Sequence, residues 1–250
     1  MSTICITGAT SGIGRATLER FVREGWKAIA VGRRKERLEE LKEAYPESVV
    51  AVIPLDVRDR KAVFTALSEL ESSLAEPISV LVNNAGLALG LDPVQCCDVD
   101  DWENMVDTNI KGLLYCTRAL LPGMVQRGAG HVVNIGSIAG SWPYPGGNVY
   151  GATKSFVLQF SRNLRCDLHG TGIRVTNIEP GLLETEFSLV RFKGDEGRAA
   201  TVYEGTEPLT AADIANIVWF AVSVPAHVNI NHIEVMPVCQ SLGSTRVCRK

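Results

Sequence analysis

The chain has 250 residues, of which 46% are hydrophobic, and its formal net charge is -3 at pH 7. Such a chain can bury a large core but creates no overall positive field, which excludes nucleic acid as a partner recruited by net charge. No apolar run approaches the length of about 18 residues that a membrane span needs, and the amino terminus shows no secretion signal, so we expect a cytoplasmic protein that binds no membrane.

The cysteines also indicate a reducing compartment. The seven of them include no C-x-x-C pair, and several fall inside apolar runs. An odd, scattered set is typical of reduced structural thiols. No His-rich segment accompanies the adjacent Cys96 and Cys97, so we expect no metal site. The full set is Cys5, Cys96, Cys97, Cys116, Cys166, Cys239 and Cys248.

Short β-rich runs alternate with helical stretches along the chain. We predict strands at residues 3–7, 27–31, 49–55, 79–83, 131–136, 173–180 and 229–238. Their continuous apolar character is typical of strands that are covered on both faces. Strand-helix alternation with short connections implies right-handed crossovers. The sequence therefore predicts one α/β domain over residues 1–250, a doubly wound sheet of seven mainly parallel strands with helices on both faces.

A glycine-rich turn follows the first predicted strand. The segment TGATSGIG contains Gly8, Gly12 and Gly14 and leads into a helix that we expect to begin at Arg15. Glycines let the backbone approach a pyrophosphate, which the helix amino terminus then stabilises. The spacing G-x-x-x-G-x-G differs from the usual G-x-G-x-x-G, but its place in the first βαβ unit indicates dinucleotide binding.

The end of the second strand predicts which dinucleotide binds. An acidic residue usually stands there, roughly 20 residues after the glycines, to hold a free ribose 2'-hydroxyl. Here Gly32 is followed by Arg33 and Arg34, which can grip a 2'-phosphate and which oppose the helix dipole unless an anion compensates. We therefore predict NADP rather than NAD, with Arg15 as a possible addition to the patch. The alternative is a solvated arginine pair.

The ends of the third and fourth strands add further polar positions. Asp56 and Val57 follow the third strand, where an adenine would lie, and the segment NNAG at 83–86 follows the fourth. Two regions, 86–99 and 181–210, do not fit the strand-helix alternation and lie past strand ends. Ligands of open α/β sheets bind outside the carboxyl ends of the strands, so both regions are candidate lids.

Tyr150 and Lys154 lie one helical turn apart in the segment NVYGATKSF. Residues at i and i+4 share a helix face, about 5 to 6 Å apart at Cβ, so the two polar ends can meet. A nearby cation favours phenolate and would lower the tyrosine pKa from its usual value of about 10. The pair would then suit reversible proton transfer to a carbonyl oxygen, although most such pairs are helix-surface neighbours.

Six motifs occur in an order and spacing that are characteristic when taken together. They are TGATSGIG, NNAG, Asn109 in DTNIKG, Ser137 in NIGS, YGATK, and Pro180 with Gly181. With these motifs the chain resembles the short-chain dehydrogenase/reductase family over nearly its whole length. The segments GRRKERLEEL, NNAGLALG, AGSWPYPGGNVYGATKSF and PAHVNIN resemble more narrowly the NADP-dependent 3-hydroxy acid dehydrogenases. The carboxyl tail CQSLGSTRVCRK carries no role over from this resemblance.

The resemblance implies a Rossmann-type fold and a role for each motif residue. Tyr150 would be the general acid/base, Lys154 would lower its pKa and bind the nicotinamide ribose, and Ser137 would hold the substrate oxygen. Asn109 would help order a water path from Lys154 to solvent. The implied NADP-binding residues are Gly8, Ala9, Thr10, Ser11, Gly12, Ile13, Gly14, Arg33, Arg34, Asp56, Val57, Asn83, Ala85, Gly86, Tyr150, Lys154, Pro180, Gly181, Leu183 and Thr185.

The resemblance also implies the reaction and an assembly. Hydride would pass between NADP(H) and the 3-hydroxyl carbon of small 3-hydroxy acids such as serine, L-allo-threonine or 3-hydroxypropionate, with malonic semialdehyde reduced in the reverse direction. Two alternatives remain, a broad carbonyl or 3-oxoacyl reductase and a non-catalytic NADP sensor. A homotetramer is implied, with the helices that carry Asn109 and Tyr150 at its interfaces.

A small hydroxy acid offers few apolar atoms, so its charge should dominate binding, and a guanidinium can hold a carboxylate bidentately. Arg191 and Lys193 are the candidate partners in the predicted lid, residues 181–210. The alternatives are that both are solvated charges paired with Glu184, Glu186 or Asp195, or that the backbone near Gly146 and Gly147 receives the carboxylate.

Overall fold

Seven parallel strands form the centre of the molecule. In the computed structural model, which describes residues 2–242, they are Thr3–Thr7 (β1), Lys27–Gly32 (β2), Val49–Pro54 (β3), Ile78–Asn83 (β4), Gly130–Ile135 (β5), Ile173–Pro180 (β6) and His232–Val235 (β7). Their order is β3-β2-β1-β4-β5-β6-β7, and every neighbouring pair is parallel. The predicted doubly wound α/β sheet is confirmed, and within the described residues it is parallel throughout.

Helices cover both faces of this sheet. They are Gly12–Arg23 (α1), Lys35–Ala44 (α2), Arg60–Ser73 (α3), Val99–Val106 (α4), Leu113–Arg127 (α5), Asn148–Asp167 (α6), Phe187–Arg191 (α7), Glu196–Thr201 (α8) and Ala211–Ser223 (α9). Apolar residues of α1, α2 and α9 form one core with the sheet, and those of α3, α5 and α6 form a second core on its other face. Continuous apolar strands follow from this double coverage.

The last strand is shorter than the predicted one at residues 229–238. The side chain of Asn229 accepts from the Val175 N–H (2.7 Å) and donates to the Val175 carbonyl (2.9 Å), so a side-chain amide replaces the backbone ladder there. Towards the other end, Pro237 has no N–H to donate. β7 therefore spans four residues at the edge of the sheet.

The first helix begins at Gly12, three residues before the predicted start at Arg15. Ser11 is extended and takes the N-cap position, and its carbonyl accepts the Arg15 N–H at 3.2 Å. Gly12 and Gly14 therefore belong to the first turn of α1, where backbone N–H groups lack partners within the helix. This brings an anion-binding helix end directly to the edge of the sheet.

Residues 181–210 connect the end of β6 to the start of α9. The Glu184 N–H donates to the Leu209 carbonyl (3.0 Å), and the Leu209 N–H donates to the Leu182 carbonyl (2.9 Å), so the two ends of the segment are fastened together. α7 and α8 lie between these ends. Two points stay predictions: that residues 1–250 form a single domain, and that residues 181–210 act as its lid.

Between residues 2 and 242, no helix is both long enough and apolar enough to cross a bilayer. The same part of the chain holds no group of three or more His, Cys, Asp or Glu side chains arranged for a metal ion. Six cysteines in it are free thiols. Cys248, and with it most of the carboxyl tail, lies outside the described residues.

Candidate active site

A cavity of about 470 Å³ opens at the carboxyl ends of β1, β4, β5 and β6, beneath residues 181–210. Most of the predicted site residues line it, which means that the fold brings together motifs far apart in the sequence. They are Gly8, Thr10, Ser11, Gly12, Ile13, Arg33, Arg34, Asp56, Val57, Ala85, Gly86, Ser137, Tyr150, Lys154, Pro180, Gly181, Leu183, Thr185 and Arg191.

Four predicted site residues lie behind the wall of this cavity. Ala9, Gly14, Asn83 and Asn109 are all buried but do not line it. The Asn83 amide donates to Thr117 Oγ1 (2.9 Å) and to Asn134 Oδ1 (2.8 Å), so it ties β4 to β5 and α5. The predicted contact of Asn83 with the cofactor stays a prediction, and the side chain does not line the cavity.

Lys193 lies away from the cavity. Its Nζ is 2.8 Å from Asp101 Oδ2 of α4, a partner that the sequence analysis did not name. The backbone alternative is also remote, because Gly146 packs against the Leu91 carbonyl and neither it nor Gly147 lines the cavity. Of the candidates for the substrate carboxylate, only Arg191 reaches the site.

Glycines and an asparagine build a close cradle after β1. A Cβ on Gly14 would collide with the Gly8 carbonyl oxygen, and Gly8 itself has φ of +68°, which favours glycine. The Asn84 amide donates to the carbonyls of Thr7 (2.9 Å) and Gly8 (3.1 Å) and so fastens the end of β4 to this turn. These residues fit a dinucleotide, because a bare backbone and the amino terminus of α1 face the cavity together.

Arg34 lies across this cradle. It donates from Nε to Thr10 Oγ1 (3.1 Å) and from Nη2 to Ser11 Oγ (2.7 Å). Its Nη1 donates to Glu186 Oε2 (2.8 Å), and Arg37 Nη1 donates to Glu186 Oε1 (2.7 Å). Glu186 is thus the anion that accompanies the arginines at the start of α2. The pKa of its carboxyl is lowered, and the largest cause is the hydrogen bond from Arg34. Sequence reasoning missed Arg37, although it stands three residues after Arg34 in the first turn of α2.

The other predicted cations behave differently from Arg34. Arg33 is exposed at the rim of the cavity. The pKa of Asp56 is lowered mainly by its hydrogen bond from Arg58 and to a smaller extent by the charge of Arg33. Arg15 pairs with Glu19 (3.0 Å) on α1 and does not line the cavity.

Ser137 and Tyr150 meet at the centre of the cavity. Ser137 follows β5 and caps a short 3-10 turn, while Tyr150 lies in the first turn of α6 with 8% of its surface exposed. The Ser137 hydroxyl accepts from the Ala139 N–H (3.2 Å), and its interaction with the Tyr150 phenol lowers the pKa of that phenol. A carbonyl oxygen placed between the two hydroxyls would meet two donors, which is the arrangement that acyl or carbonyl chemistry uses to stabilise developing negative charge.

Lys154 does not pair with the Tyr150 hydroxyl as predicted. Its Nζ donates to the Ile135 carbonyl (2.8 Å) and lies 5.9 Å from the centre of the Tyr150 ring. Burial raises the pKa of Tyr150 to about 12, against a lowering by the Ser137 hydrogen bond and by the charge of Arg191. The predicted lowering of this pKa by Lys154 is therefore wrong for this arrangement, because desolvation outweighs the charges nearby.

Burial acts on Lys154 as well. Desolvation lowers its pKa to about 8, and the negative charge of Glu179 opposes this shift. Its neighbour Asn109 stands in a π-helical turn, Asp107–Gly112, between α4 and α5. The Asn109 amide donates to the Leu87 carbonyl (2.8 Å) and to Thr153 Oγ1 (3.0 Å). π turns are frequent at functional sites, and this one places the Asn109 side chain near Gly86, which Lys154 also approaches.

Arg191 supplies a cation beside Tyr150. Its guanidinium lies 5.2 Å from the centre of the Tyr150 ring and 5.0 Å from that of Phe187, and its Nη2 donates to the Tyr144 hydroxyl (3.2 Å). The Nε of Arg191 is buried without a hydrogen-bond partner. A buried donor left unpaired costs roughly 1 to 3 kcal/mol, so this atom points to an anionic ligand. Tyr144 and Phe187 carried no sequence pattern that marked them.

This fold and this cavity define a class of protein: the chain belongs to the short chain dehydrogenase family, whose model matches residues 2–195. It is 56% identical over 248 residues to the NADP-dependent 3-hydroxy acid dehydrogenase YdfG of Escherichia coli K12, with 99% of each chain covered. It is 52% identical over 248 residues to sulfoacetaldehyde reductase 2 of Chromohalobacter salexigens, with 98% of each covered. Among solved structures, the closed form of serine dehydrogenase complexed with NADP+ matches with 55% identity and a TM-score of 0.93, over 99% of this chain and 100% of that one.

Proposed function

We propose that this chain is an NADP(H)-dependent dehydrogenase that oxidises the 3-hydroxyl carbon of small 3-hydroxy acids and reduces the matching semialdehydes. One observation carries the proposal: a glycine cradle with arginines, a Ser-Tyr pair and the guanidinium of Arg191, whose Nε is buried, share one cavity. The identity to relatives named for NADP-dependent 3-hydroxy acid and serine dehydrogenation supports the same chemistry.

The cofactor would lie along the glycine cradle and the strand ends. The first turn of α1 would bind its pyrophosphate, and Arg34 with its neighbours would bind the 2'-phosphate. When bound, NADP accepts the hydride that leaves the hydroxyl carbon, or NADPH donates one in the reverse direction. Lys154, between Gly86 and the end of β5, would hold the nicotinamide ribose.

Tyr150 would carry the proton. With its pKa raised to about 12, the phenol is protonated at neutral pH and suited to donate to a carbonyl oxygen during reduction. Oxidation needs the phenolate, which is favoured by the Ser137 hydrogen bond and by the charge of Arg191. Ser137 would hold the substrate oxygen, and Asn109 would help order water beside Lys154.

Arg191 would bind the acidic group of the substrate. The short distance between its guanidinium and Tyr150 suits a molecule with about one carbon between the anion and the reacting carbon. Malonic semialdehyde and sulfoacetaldehyde both have this form, one with a carboxylate and the other with a sulfonate. The unpaired Nε of Arg191 favours such anions over the neutral substrates of a broad carbonyl reductase.

Initial rates across matched substrates test this function. We expect turnover of L-serine, L-allo-threonine and 3-hydroxypropionate with NADP+ and much slower turnover with NAD+. In the reverse direction, the free semialdehyde should react faster than a neutral aldehyde of similar size or a carrier-bound 3-oxoacyl group. Preference for the carrier-bound group would indicate a 3-oxoacyl reductase, and absence of turnover with every substrate would indicate an NADP sensor. Faster turnover of sulfoacetaldehyde than of malonic semialdehyde would move the physiological substrate to sulfonates.

The site proposal extends to the lid, the assembly and the location of the protein. Residues 181–210 would close over the substrate, since Arg191 lies in this segment and faces Tyr150.

A homotetramer would cover part of α6, where the stacked rings of Phe156 and Phe160 are only partly buried. Light scattering should give four times the chain mass. The free thiols support a cytoplasmic location.

A further inference from the structure

Glu186 holds the arginines that a 2'-phosphate would need. Its two carboxylate oxygens accept from Arg34 (2.8 Å) and from Arg37 (2.7 Å), on helix α2. Glu186 belongs to residues 181–210 and is remote from these arginines in the sequence. A carboxylate that bridges two guanidinium groups makes the same kind of forked contact that a phosphate monoester makes.

The Glu186 carboxylate and a 2'-phosphate cannot make these contacts with Arg34 and Arg37 at the same time. Arg34 already uses Nε and Nη2 on Thr10 and Ser11, so Nη1, which faces Glu186, is the nitrogen that an incoming anion would take. The other contact of Arg37 near the cradle is a long one, 3.5 Å from its Nη1 to the Thr10 carbonyl. A phosphate that approaches this pair therefore has to replace Glu186.

We propose that Glu186 is a specificity-determining residue. Its carboxylate occupies the site for the 2'-phosphate on Arg34 and Arg37, and it is displaced by the 2'-phosphate of NADP but not by NAD. This inference rests on the proposed NADP site. Binding of NADP then includes the breaking of two ion pairs, whereas NAD, which has a hydroxyl at this position, leaves them in place. Glu186 should thus weaken NADP binding and speed its release while leaving NAD binding nearly unchanged.

The contact also connects the cofactor end of the cavity to the substrate end. Glu186 is the N-cap residue of α7, and Arg191 is the last residue of that helix. Release of Glu186 from Arg34 frees the start of the helix whose end carries the guanidinium beside Tyr150. Binding of the 2'-phosphate therefore changes the contacts of α7, the helix whose Arg191 would bind the substrate anion.

Calorimetric titration of the full chain tests the inference without any turnover. The ligands are NADPH, NADH, and adenosine 2',5'-bisphosphate compared with AMP. Exposed ion pairs are individually weak, so Glu186→Gln should tighten binding of NADPH and of the bisphosphate by roughly threefold to tenfold and leave NADH and AMP within error. Glu184→Gln is the matched control, because it removes the same charge from an exposed position two residues away and should change nothing.

A double-mutant cycle separates this inference from the cofactor site on which it rests. In a chain with Arg34→Ala and Arg37→Ala, NADPH should bind much more weakly, and adding Glu186→Gln should then have no further effect. Unchanged NADPH affinity on Glu186→Gln, together with a large loss on the arginine change, would overturn the role of Glu186 and leave the NADP site standing. Equal tightening of NADPH and NADH, or equal effects of Glu184→Gln, would also overturn it. No effect of the arginine change would overturn the NADP site itself.

Discussion

At Tyr150 the largest influence on the pKa is burial of the phenol, which raises it to about 12 despite the Ser137 hydrogen bond and the Arg191 charge. The i, i+4 spacing placed Tyr150 and Lys154 on one helix face, and both do line the cavity. The direction of the Lys154 ammonium could not be predicted from the sequence. It depends on the carbonyl of Ile135 at the end of β5, which is remote from Lys154 in the chain. The sequence therefore predicted the partners and not the balance between desolvation and charge.

Tyr150→Phe keeps the ring and removes the transferable proton. We expect kcat to fall by at least about two orders of magnitude, the range for general acid/base groups, while NADPH affinity stays nearly unchanged. Steady-state rates and calorimetric titration measure the two quantities separately. Retention of a tenth of the wild-type kcat would show that another group carries the proton.

Arg191→Met keeps an unbranched apolar stem and removes the charged guanidinium. The KM for L-serine should rise by more than tenfold, because a charge-assisted hydrogen bond is worth about 1.5 to 3 kcal/mol, while an uncharged carbonyl substrate of similar size should be little affected. The pH profile of oxidation should also move to higher pH, because the Arg191 charge lowers the Tyr150 pKa.

Lys193→Met is the control for Arg191, since Lys193 pairs with Asp101 outside the cavity. It should leave the KM for L-serine and the pH profile unchanged. Equal losses from Arg191→Met on charged and uncharged substrates would mean that the segment at 181–210 is disturbed generally.

The buried ammonium of Lys154 makes stability depend on pH. Its pKa in the folded chain is lowered to about 8, so between pH 8 and the unfolded value of about 10.4 the unfolded chain binds more protons. Stability from this group therefore rises with pH across that window and is constant below it. Relative to Lys154→Met, the wild type should gain stability between pH 8 and 10 in urea unfolding. A difference that stays constant with pH would contradict the burial of a charged Lys154.

At the scale of elements, the strands were predictable because burial on both faces removes polar residues from them. The glycine turn was predictable because few other residues fit where Gly14 approaches Gly8. Two features were not. The late start of the ladder at β7 depends on how the Asn229 side chain bonds to a different strand, and the π turn Asp107–Gly112 depends on contacts that Asn109 makes with distant residues.

Gly14→Ala tests the cradle. The added Cβ would collide with the Gly8 carbonyl, a backbone atom, so the turn must shift, at a cost of roughly 1 to 3 kcal/mol in the free energy of unfolding. NADPH affinity should fall with it. Gly25→Ala is the matched control: it has φ of +80° and no atom within 4 Å of its Cβ, so it should lose roughly 1 to 2 kcal/mol and bind NADPH normally. Loss of NADPH binding in both variants would mean that general stability, and not the cradle, governs the affinity.

For the whole molecule, the sheet brings the glycine cradle, Tyr150 and the guanidinium of Arg191 to one edge. The doubly wound order explains this, because β1 and β4 are neighbours in space and their helices leave in opposite directions, which opens a crevice between them. The sequence predicted the crevice and most of its lining. It could not predict that Glu186 crosses from residues 181–210 to Arg34 and Arg37, because that contact exists only once the segment is folded over the cavity.

In the proposed reaction, hydride leaves the 3-carbon of a small hydroxy acid and reaches NADP+. Incubation of the wild-type chain with NADP+ and L-serine deuterated at C3 tests it directly, with mass spectrometry of the NADPH formed. We predict that the NADPH carries one deuterium, and that serine deuterated only at C2 gives unlabelled NADPH. NADPH labelled from C2, or no NADPH formed from any 3-hydroxy acid, would contradict the claim.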